Sequence, residues 1–142
     1  MALKMDVAAL MAFLASDFSE VADNFVVHRV DETGLDLRLV VGSQHIRPGG
    51  TVSGPTIFAL ADVAVYLAIL SRIGPRALTV TTSASIDFLR KPSAGRDIIG
   101  TARILKLGRV LVVGDVLIYS EGLADPVARA SMTYSIPPLA KE

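Results

Sequence analysis

An almost uncharged stretch in the first half of the chain constrains the fold most. It runs from Gly49 to Leu70, and between Thr56 and Leu70 the only charged residue is Asp62. A helix without a polar face has to be buried, because an exposed helix shows a polar side to water. These fifteen residues are also fewer than the roughly twenty apolar residues that cross a bilayer. We therefore predict a buried core helix that carries one carboxylate.

The start of this helix and its carboxylate both point to chemistry. Pro55 suits the first helical position, and Gly54 allows a ligand to approach the backbone closely. Free N–H groups at a helix start attract anions. Asp62 either accepts structural hydrogen bonds or has a chemical role, because a buried and unpaired carboxylate is costly. An oxyanion donor and a carboxylate are two of the groups that acyl hydrolysis needs.

The rest of the chain predicts one more helix and an antiparallel sheet. Apolar residues from Val7 to Phe18 recur at helical spacing, which indicates an amphipathic helix rather than a signal peptide. Alternating and β-branched patterns predict strands over residues 24–30, 35–41, 78–90, 97–107, 110–120 and 127–136. A helix that is apolar on all sides, with strands before and after it, needs a curved sheet wrapped around it. We predict a single α+β domain over residues 1–142, with an N-terminal helix in 1–22, a core in 23–136 and a tail in 137–142.

Composition limits the partners. Hydrophobic residues make up 51% of the 142 residues and charged residues only 20%, which predicts that some surface is buried between subunits. A formal net charge of zero offers no electrostatic reason to bind nucleic acid. The chain has no cysteine and only two histidines, so we expect no disulfide and no metal site. We also expect a cytoplasmic protein that does not bind membranes.

Two motifs carry a resemblance to a known family. Residues Ser53 to Pro55, followed after six residues by Asp62, resemble the H-G-G-x6-D signature of hotdog-fold acyl-CoA thioesterases of the phenylacetate-pathway (PaaI) type. The run from Ile86 to Pro92 resembles the strand of the same family that ends in F-L-R-x-P. The order of elements agrees over about residues 23–136. The resemblance implies a hotdog fold, in which a curved antiparallel sheet wraps a central helix.

The resemblance also implies a site shared between two chains. Gly54 and Asp62 are eight residues apart, which is roughly 12 Å along a helix. That is too far for both to act on one carbonyl, since donors and bases have to lie about 3 Å from it. The family places Gly54 of one chain beside Asp62 of the other, as a two-fold axis between antiparallel helices allows. We therefore predict a homodimer, assembled further into a homotetramer.

Three positions depart from the family pattern and are candidates for substrate binding. Ser53 stands where the family usually has His, and Pro55 stands where it has the second Gly. Arg47 stands where many members have an Asn that helps to bind the thioester. Arg47 either anchors its glycine-rich loop or meets a polar end of the acyl group.

Four further residues are candidates for contacts near the substrate. Arg90 and Lys91 form either a solvated turn or contacts to the nucleotide of coenzyme A, because this corner lies near the nucleotide in the resembled family and Arg recognises phosphate. Arg109, at a predicted hairpin, is a candidate of the same kind. Thr81 is either an ordinary threonine on the polar face of its strand or the hydroxyl that family members often place near the site.

We predict an acyl-CoA thioesterase and keep two alternatives beside it. The predicted activity is hydrolysis of aryl-, short- or medium-chain acyl-CoA to the free acid and CoA, with CoA as part of the substrate and no cofactor. Asp62 would act as general base or as nucleophile. The first alternative is a non-catalytic module that binds acyl-CoA or fatty acid, which the departures at Ser53, Pro55 and Arg47 suggest. The second alternative is a dehydratase or hydratase, which needs a His with an acid, and His45 is the only nearby candidate.

Overall fold

Six antiparallel strands wrap around one long helix in the computed structural model, which describes residues 3–138. In chain order the elements are α1 (Val7–Asp17), β1 (Phe25–Asp31), β2 (Gly34–Leu39), α2 (Gly54–Ile73), β3 (Val80–Phe88), β4 (Ile98–Leu107), β5 (Leu111–Ser120) and β6 (Pro126–Ser135). All predicted helices and strands are confirmed, with small shifts at their ends. The predicted tail lies partly outside the described residues.

The sheet has the strand order β1-β2-β4-β5-β6-β3, and every neighbouring pair is antiparallel. Helix α2 packs mainly on β4, β2 and β5. It lies close to the sheet, since a Cβ atom added at Gly114 would come within 2.9 Å of a Val65 methyl. The curved sheet around a buried helix is the predicted hotdog fold.

Helix α2 extends further than its apolar sequence pattern predicted. It begins at Gly54 after the N-cap residue Ser53 and ends before Gly74, whose φ of 97° only glycine adopts readily. Its 20 residues are long and apolar enough to cross a membrane, which corrects the predicted length of fifteen residues. Burial explains the apolar composition instead, because 67% of its apolar window lies inside the fold.

Helix α1 belongs to the folded core. Its side chains Leu10, Phe13 and Leu14 are buried, and the helix packs against β1 and α2. Asp6 caps its start, accepting a hydrogen bond of 2.9 Å from the Ala9 N–H. The predicted N-terminal helix is confirmed.

Strand β3 forms an open edge of the sheet. It pairs with β6 on one side and has no strand on the other within the described chain. Both of its ends expose apolar side chains: Val80 is 56% exposed and Phe88 is 55% exposed. A long edge with exposed apolar residues is a surface that another strand can pair with. The unpaired edge runs along the part of the molecule that holds the candidate site.

Candidate active site

The start of α2 opens into a cavity of about 470 Å³, which Gly54 and Phe88 help to line. The Gly54 N–H has no hydrogen-bond partner among residues 3–138, whereas the Thr56 N–H donates to the Ser53 hydroxyl. A Cβ atom at Gly54 would meet only the Phe88 ring, at 3.6 Å. The helix start thus presents a free N–H to an open space, which suits a developing negative charge.

Three cations line the same cavity, namely Arg47, Arg90 and Lys91. None of them pairs with a carboxylate in the described part of the chain, although several other arginines do. Arg90 donates instead to the Pro126 carbonyl. Unpaired cations beside a helix start make this cavity attractive to an anionic ligand. The sequence candidates Arg47, Arg90 and Lys91 therefore lie together with Gly54.

Asp62 is held by two hydroxyl groups on one of its carboxylate oxygens. Thr81 donates to Asp62 Oδ1 at 2.7 Å, and Tyr134 donates to the same oxygen at 2.5 Å. The Tyr134 hydroxyl also lies 2.7 Å from the main-chain carbonyl of Asp62. No described residue donates to Oδ2. The second oxygen of the carboxylate is therefore free to meet a substrate or a water molecule.

The environment keeps the Tyr134 phenol neutral. Tyr134 is only 2% exposed, and burial raises its pKa far above the usual range, with the negative charge of Asp62 as the second cause. A neutral phenol has one hydrogen to donate. Tyr134 therefore acts as a donor toward Asp62. No motif marked Tyr134 in the sequence, because it lies 72 residues from Asp62.

A β-bulge places Thr81 at the site. Strand β3 alternates regularly from Phe88 to Ser83, but its pairing with β6 then skips Thr82, so that Thr81 lies opposite Tyr134. The extra residue turns Thr81 toward the helix, although regular alternation put it on the face of Ser83. Thr81 is thus not an ordinary threonine on the outer face of its strand, because its hydroxyl contacts the Asp62 carboxylate. Bulges often redirect a side chain in this way beside an active site.

A second cavity, of about 190 Å³, adjoins Asp62. Its walls include the aromatic side chains of Phe18, Tyr66 and Tyr134, none of which a sequence motif had indicated. Tyr66 contacts both other rings, with centroid distances of 5.7 Å to Phe18 and 6.0 Å to Tyr134. Apolar aromatic walls with one carboxylate suit an apolar group whose reactive end lies at Asp62.

The remaining candidates lie beside these cavities or away from them. The Ser53 hydroxyl caps α2 and contacts the Thr56 hydroxyl at 2.8 Å. Pro55 is exposed in the first turn of the helix. Arg109 lies in the turn between β4 and β5 and lines neither cavity.

His45 supports the loop that precedes the helix. It is buried, its Nδ1 accepts the Gly42 N–H at 2.8 Å, and burial lowers its pKa. No carboxylate among residues 3–138 orients its ring. This arrangement does not support the dehydratase hypothesis, which needs a His with an acid. Among the same residues, no group of three His, Cys, Asp or Glu side chains could hold a metal ion.

Gly54 and Asp62 line different cavities of one chain. The free N–H of the helix start and the carboxylate thus lie near opposite ends of β3, because Gly54 faces Phe88 and Asp62 contacts Thr81. A helix start with a free N–H, a held carboxylate and a wrapping antiparallel sheet define a protein of the hotdog class.

Comparison with known proteins gives the family. Residues 49–127 match the thioesterase superfamily. The chain is 53% identical to a protein of Silicibacter sp. TM1040 that is provisionally described as a thioesterase, with a TM-score of 0.91 over 97% of this chain and 96% of that one. The chain belongs to the thioesterase superfamily, and the predicted family and fold are confirmed.

Two further solved structures are phenylacetic acid degradation proteins. A mutant of PaaI from Thermus thermophilus is 27% identical, with a TM-score of 0.71 over 86% of this chain and all 100% of that one. The PaaI protein of E. coli is 25% identical, with a TM-score of 0.76 over 89% of this chain and 88% of that one. A search of curated proteins found no match.

Proposed function

We propose that the chain hydrolyses acyl-CoA thioesters to the free acid and CoA at two sites of a homodimer, each site formed by both subunits. Membership of the thioesterase superfamily supports thioester hydrolysis. The observation that carries the proposal is the separation of two complementary half-sites along the open edge strand β3. Neither half-site is complete within one chain, since one has the oxyanion donor and the other has the carboxylate.

Pairing of β3 with a second copy would join the two half-sites. The centre of β3 is Ala84, so antiparallel pairing about this residue puts Phe88 opposite Val80 of the partner subunit. Phe88 borders the Gly54 cavity, and Val80 borders the Asp62 cavity. The same pairing would cover both exposed ends of the strand. A homodimer of this kind, alone or within a tetramer, is what we expect in solution.

The chemistry follows from the positions of the groups. The thioester carbonyl oxygen accepts a hydrogen bond from the Gly54 N–H, which stabilises the negative charge that develops on it. In one route, Asp62 Oδ2 of the other subunit takes a proton from water, and the hydroxide oxygen bonds to the carbonyl carbon. The tetrahedral intermediate then breaks its C–S bond, and the CoA thiolate takes the proton that Asp62 accepted from water. In the alternative route, Oδ2 bonds to the carbonyl carbon and the C–S bond breaks, which gives an anhydride and the CoA thiolate. Water then hydrolyses the anhydride to the acid and the Asp62 carboxylate, and the proton released goes to the thiolate.

The two cavities divide the substrate between them. The acyl group suits the aromatic cavity beside Asp62, with aryl, short-chain and medium-chain acyl groups as the proposed class. Arg90 and Lys91 pair with no carboxylate among residues 3–138 and suit the phosphates of coenzyme A, and Arg47 lines the same cavity. The proposal needs no metal, cofactor or nucleic acid, and we expect the enzyme to act in the cytoplasm.

The test is release of free thiol from a panel of aryl-, short-chain and medium-chain acyl-CoA substrates, with Asp62→Asn as the diagnostic variant. Asn is nearly isosteric with Asp and still accepts hydrogen bonds from Thr81 and Tyr134, so the fold and the binding of CoA should persist. We expect kcat to fall on the order of a hundredfold or more, as for loss of a positioned base. Asp115→Asn is the matched control, because this carboxylate pairs with Arg103 away from both cavities.

Each outcome leads to a definite conclusion. An active wild type with an inactive but CoA-binding Asp62→Asn variant supports the proposal. Equal activity of Asp62→Asn and wild type would remove Asp62 from the mechanism. A wild type that binds acyl-CoA but hydrolyses none of the panel would favour the non-catalytic binding module.

A further inference from the structure

Tyr134 contacts Asp62 at two points, on its side chain and on its main chain. Its hydroxyl lies 2.5 Å from Oδ1 and 2.7 Å from the carbonyl oxygen of the same residue. The single phenolic hydrogen is thus shared between the carboxylate and the helix backbone that carries it, which restricts rotation of the Asp62 side chain. Thr81 adds a second hydroxyl to Oδ1 at 2.7 Å.

The two donors come from strands with different support. Tyr134 lies on β6, which pairs with β5 on one side and β3 on the other, and it is among the largest fully buried side chains. Thr81 lies on the edge strand next to a bulge and is half-buried. An inner strand with partners on both sides is held more firmly than an edge strand. Tyr134 therefore fixes Asp62 to the inner part of the sheet, and this contact does not depend on changes in the edge strand β3 when a partner or a substrate binds.

We propose that Tyr134 is the positioning residue of the thioesterase site, which occupies Oδ1 of Asp62 and thereby directs Oδ2 toward the water or the thioester. This inference rests on the proposed function, because it assigns a task to Asp62. Thr81 is the second, weaker holder of the same oxygen. In this proposal Tyr134 exchanges no proton with the substrate, because its hydroxyl lies against Asp62 Oδ1 at 2.5 Å.

The two oxygens of Asp62 consequently have different roles. Oδ1 is engaged by both hydroxyl groups, and Oδ2 has no donor in the described chain. The loss of Tyr134 would let the carboxylate rotate and present either oxygen, or neither, to the substrate. Misplacement of a catalytic group by about 1 Å can cost on the order of a hundredfold in rate. The chemical step should therefore suffer, whereas binding of the CoA portion near Arg90 should not.

The experiment measures thiol release by the full chain with Tyr134→Phe, with Tyr119→Phe as the matched control. Both changes remove one phenolic hydroxyl from a strand, but Tyr119 lines neither cavity. For Tyr134→Phe we expect kcat to fall on the order of tenfold with KM within about twofold of wild type, while Tyr119→Phe retains the wild-type kcat. A wild-type kcat for a folded Tyr134→Phe variant would overturn the proposal.

A second comparison separates positioning from general support of the fold. If Tyr134 acts through Asp62, the variant with both Tyr134→Phe and Asp62→Asn should be no slower than Asp62→Asn alone. An additional loss of the same size in that background would overturn the proposal. Should Tyr134→Phe fail to fold, Thr81→Val replaces it, because Thr81 lies on the edge and donates to the same oxygen. Thr81→Val should lower kcat severalfold at constant KM, and an unchanged kcat would count against the proposal.

The results distinguish this inference from the proposed function. A wild type that hydrolyses none of the substrates would refute both the proposed function and the positioning role of Tyr134. A wild type that loses activity on Asp62→Asn but not on Tyr134→Phe or Thr81→Val would leave the hydrolase intact and remove the positioning role alone.

Discussion

Mixing two inactive variants would test whether the active site is shared between subunits. Asp62→Asn removes the carboxylate from one half-site, and Gly54→Ala places a methyl group at the oxyanion donor of the other. The structure accommodates that methyl group, since its nearest neighbour would be the Phe88 ring at 3.6 Å. Gly54→Ala should therefore fold and dimerise while obstructing approach of the thioester. We expect its rate to fall on the order of a hundredfold, because a thioester oxygen kept away from this N–H loses the stabilisation that an oxyanion donor gives.

The size of the recovery follows from the symmetry of the dimer. In a two-fold dimer with equal amounts of both chains, random exchange makes roughly half of the dimers mixed. A mixed dimer has one site with both defects and one site with neither, because each site takes Gly54 from one chain and Asp62 from the other. The mixture should therefore recover about one quarter of the wild-type rate. Each variant alone should stay near one hundredth of it.

The assay is thiol release after the two purified variants have been unfolded together and refolded, with light scattering to confirm a mass of at least two chains. Asp62→Asn mixed with Asp62→Ala is the control, because no pairing of those chains restores a carboxylate, and its rate should stay low. A monomeric mass, or a mixture no faster than its components although mixed dimers have formed, would refute the shared site.

Two other predictions concern the substrate. Replacing Arg90 and Lys91 together by Ala should raise KM for acyl-CoA much more than KM for the corresponding acyl-pantetheine, because only acyl-CoA has nucleotide phosphates. Equal increases in the two KM values would show that both residues form only a solvated turn. Phe18→Ala should shift the preference toward longer acyl chains, because Phe18 lies between the Asp62 cavity and a smaller adjoining one that Tyr66 also lines. An unchanged ratio of kcat/KM between short and medium chains would contradict this role.

The fold could be predicted in large part because its signals are local and strong. The apolar run around Asp62, the turn at Gly74 and the alternation within β2 and β3 each identify an element from neighbouring residues alone. The order of these elements then leaves a wrapped helix as the arrangement that buries it. The apolar run indicates a shorter α2 than the structure has, because the helix continues past the run, through Arg72, to its C-cap at Gly74.

Half of the candidate site was also predictable. Gly54, Arg90 and Lys91, all candidates in the sequence, line one cavity, because the helix start and the end of strand β3 meet there. The orientation of Thr81 was not predictable, since it depends on a one-residue bulge. Alternation assigns a face by counting, so a single inserted residue reverses every assignment beyond it.

Tyr134 shows why the other half could not be predicted. Its relation to Asp62 arises from the register of β6 against β3 and from the packing of α2 across the sheet, and neither is a property of neighbouring residues. A tyrosine in a strand can pack its ring in many apolar environments, and only the hydrogen bond to a buried carboxylate distinguishes Tyr134. The same long-range register decides which end of β3 holds Asp62 and which end meets Gly54. The open edge between them is thus where one chain's site ends and where, on our proposal, the partner's begins.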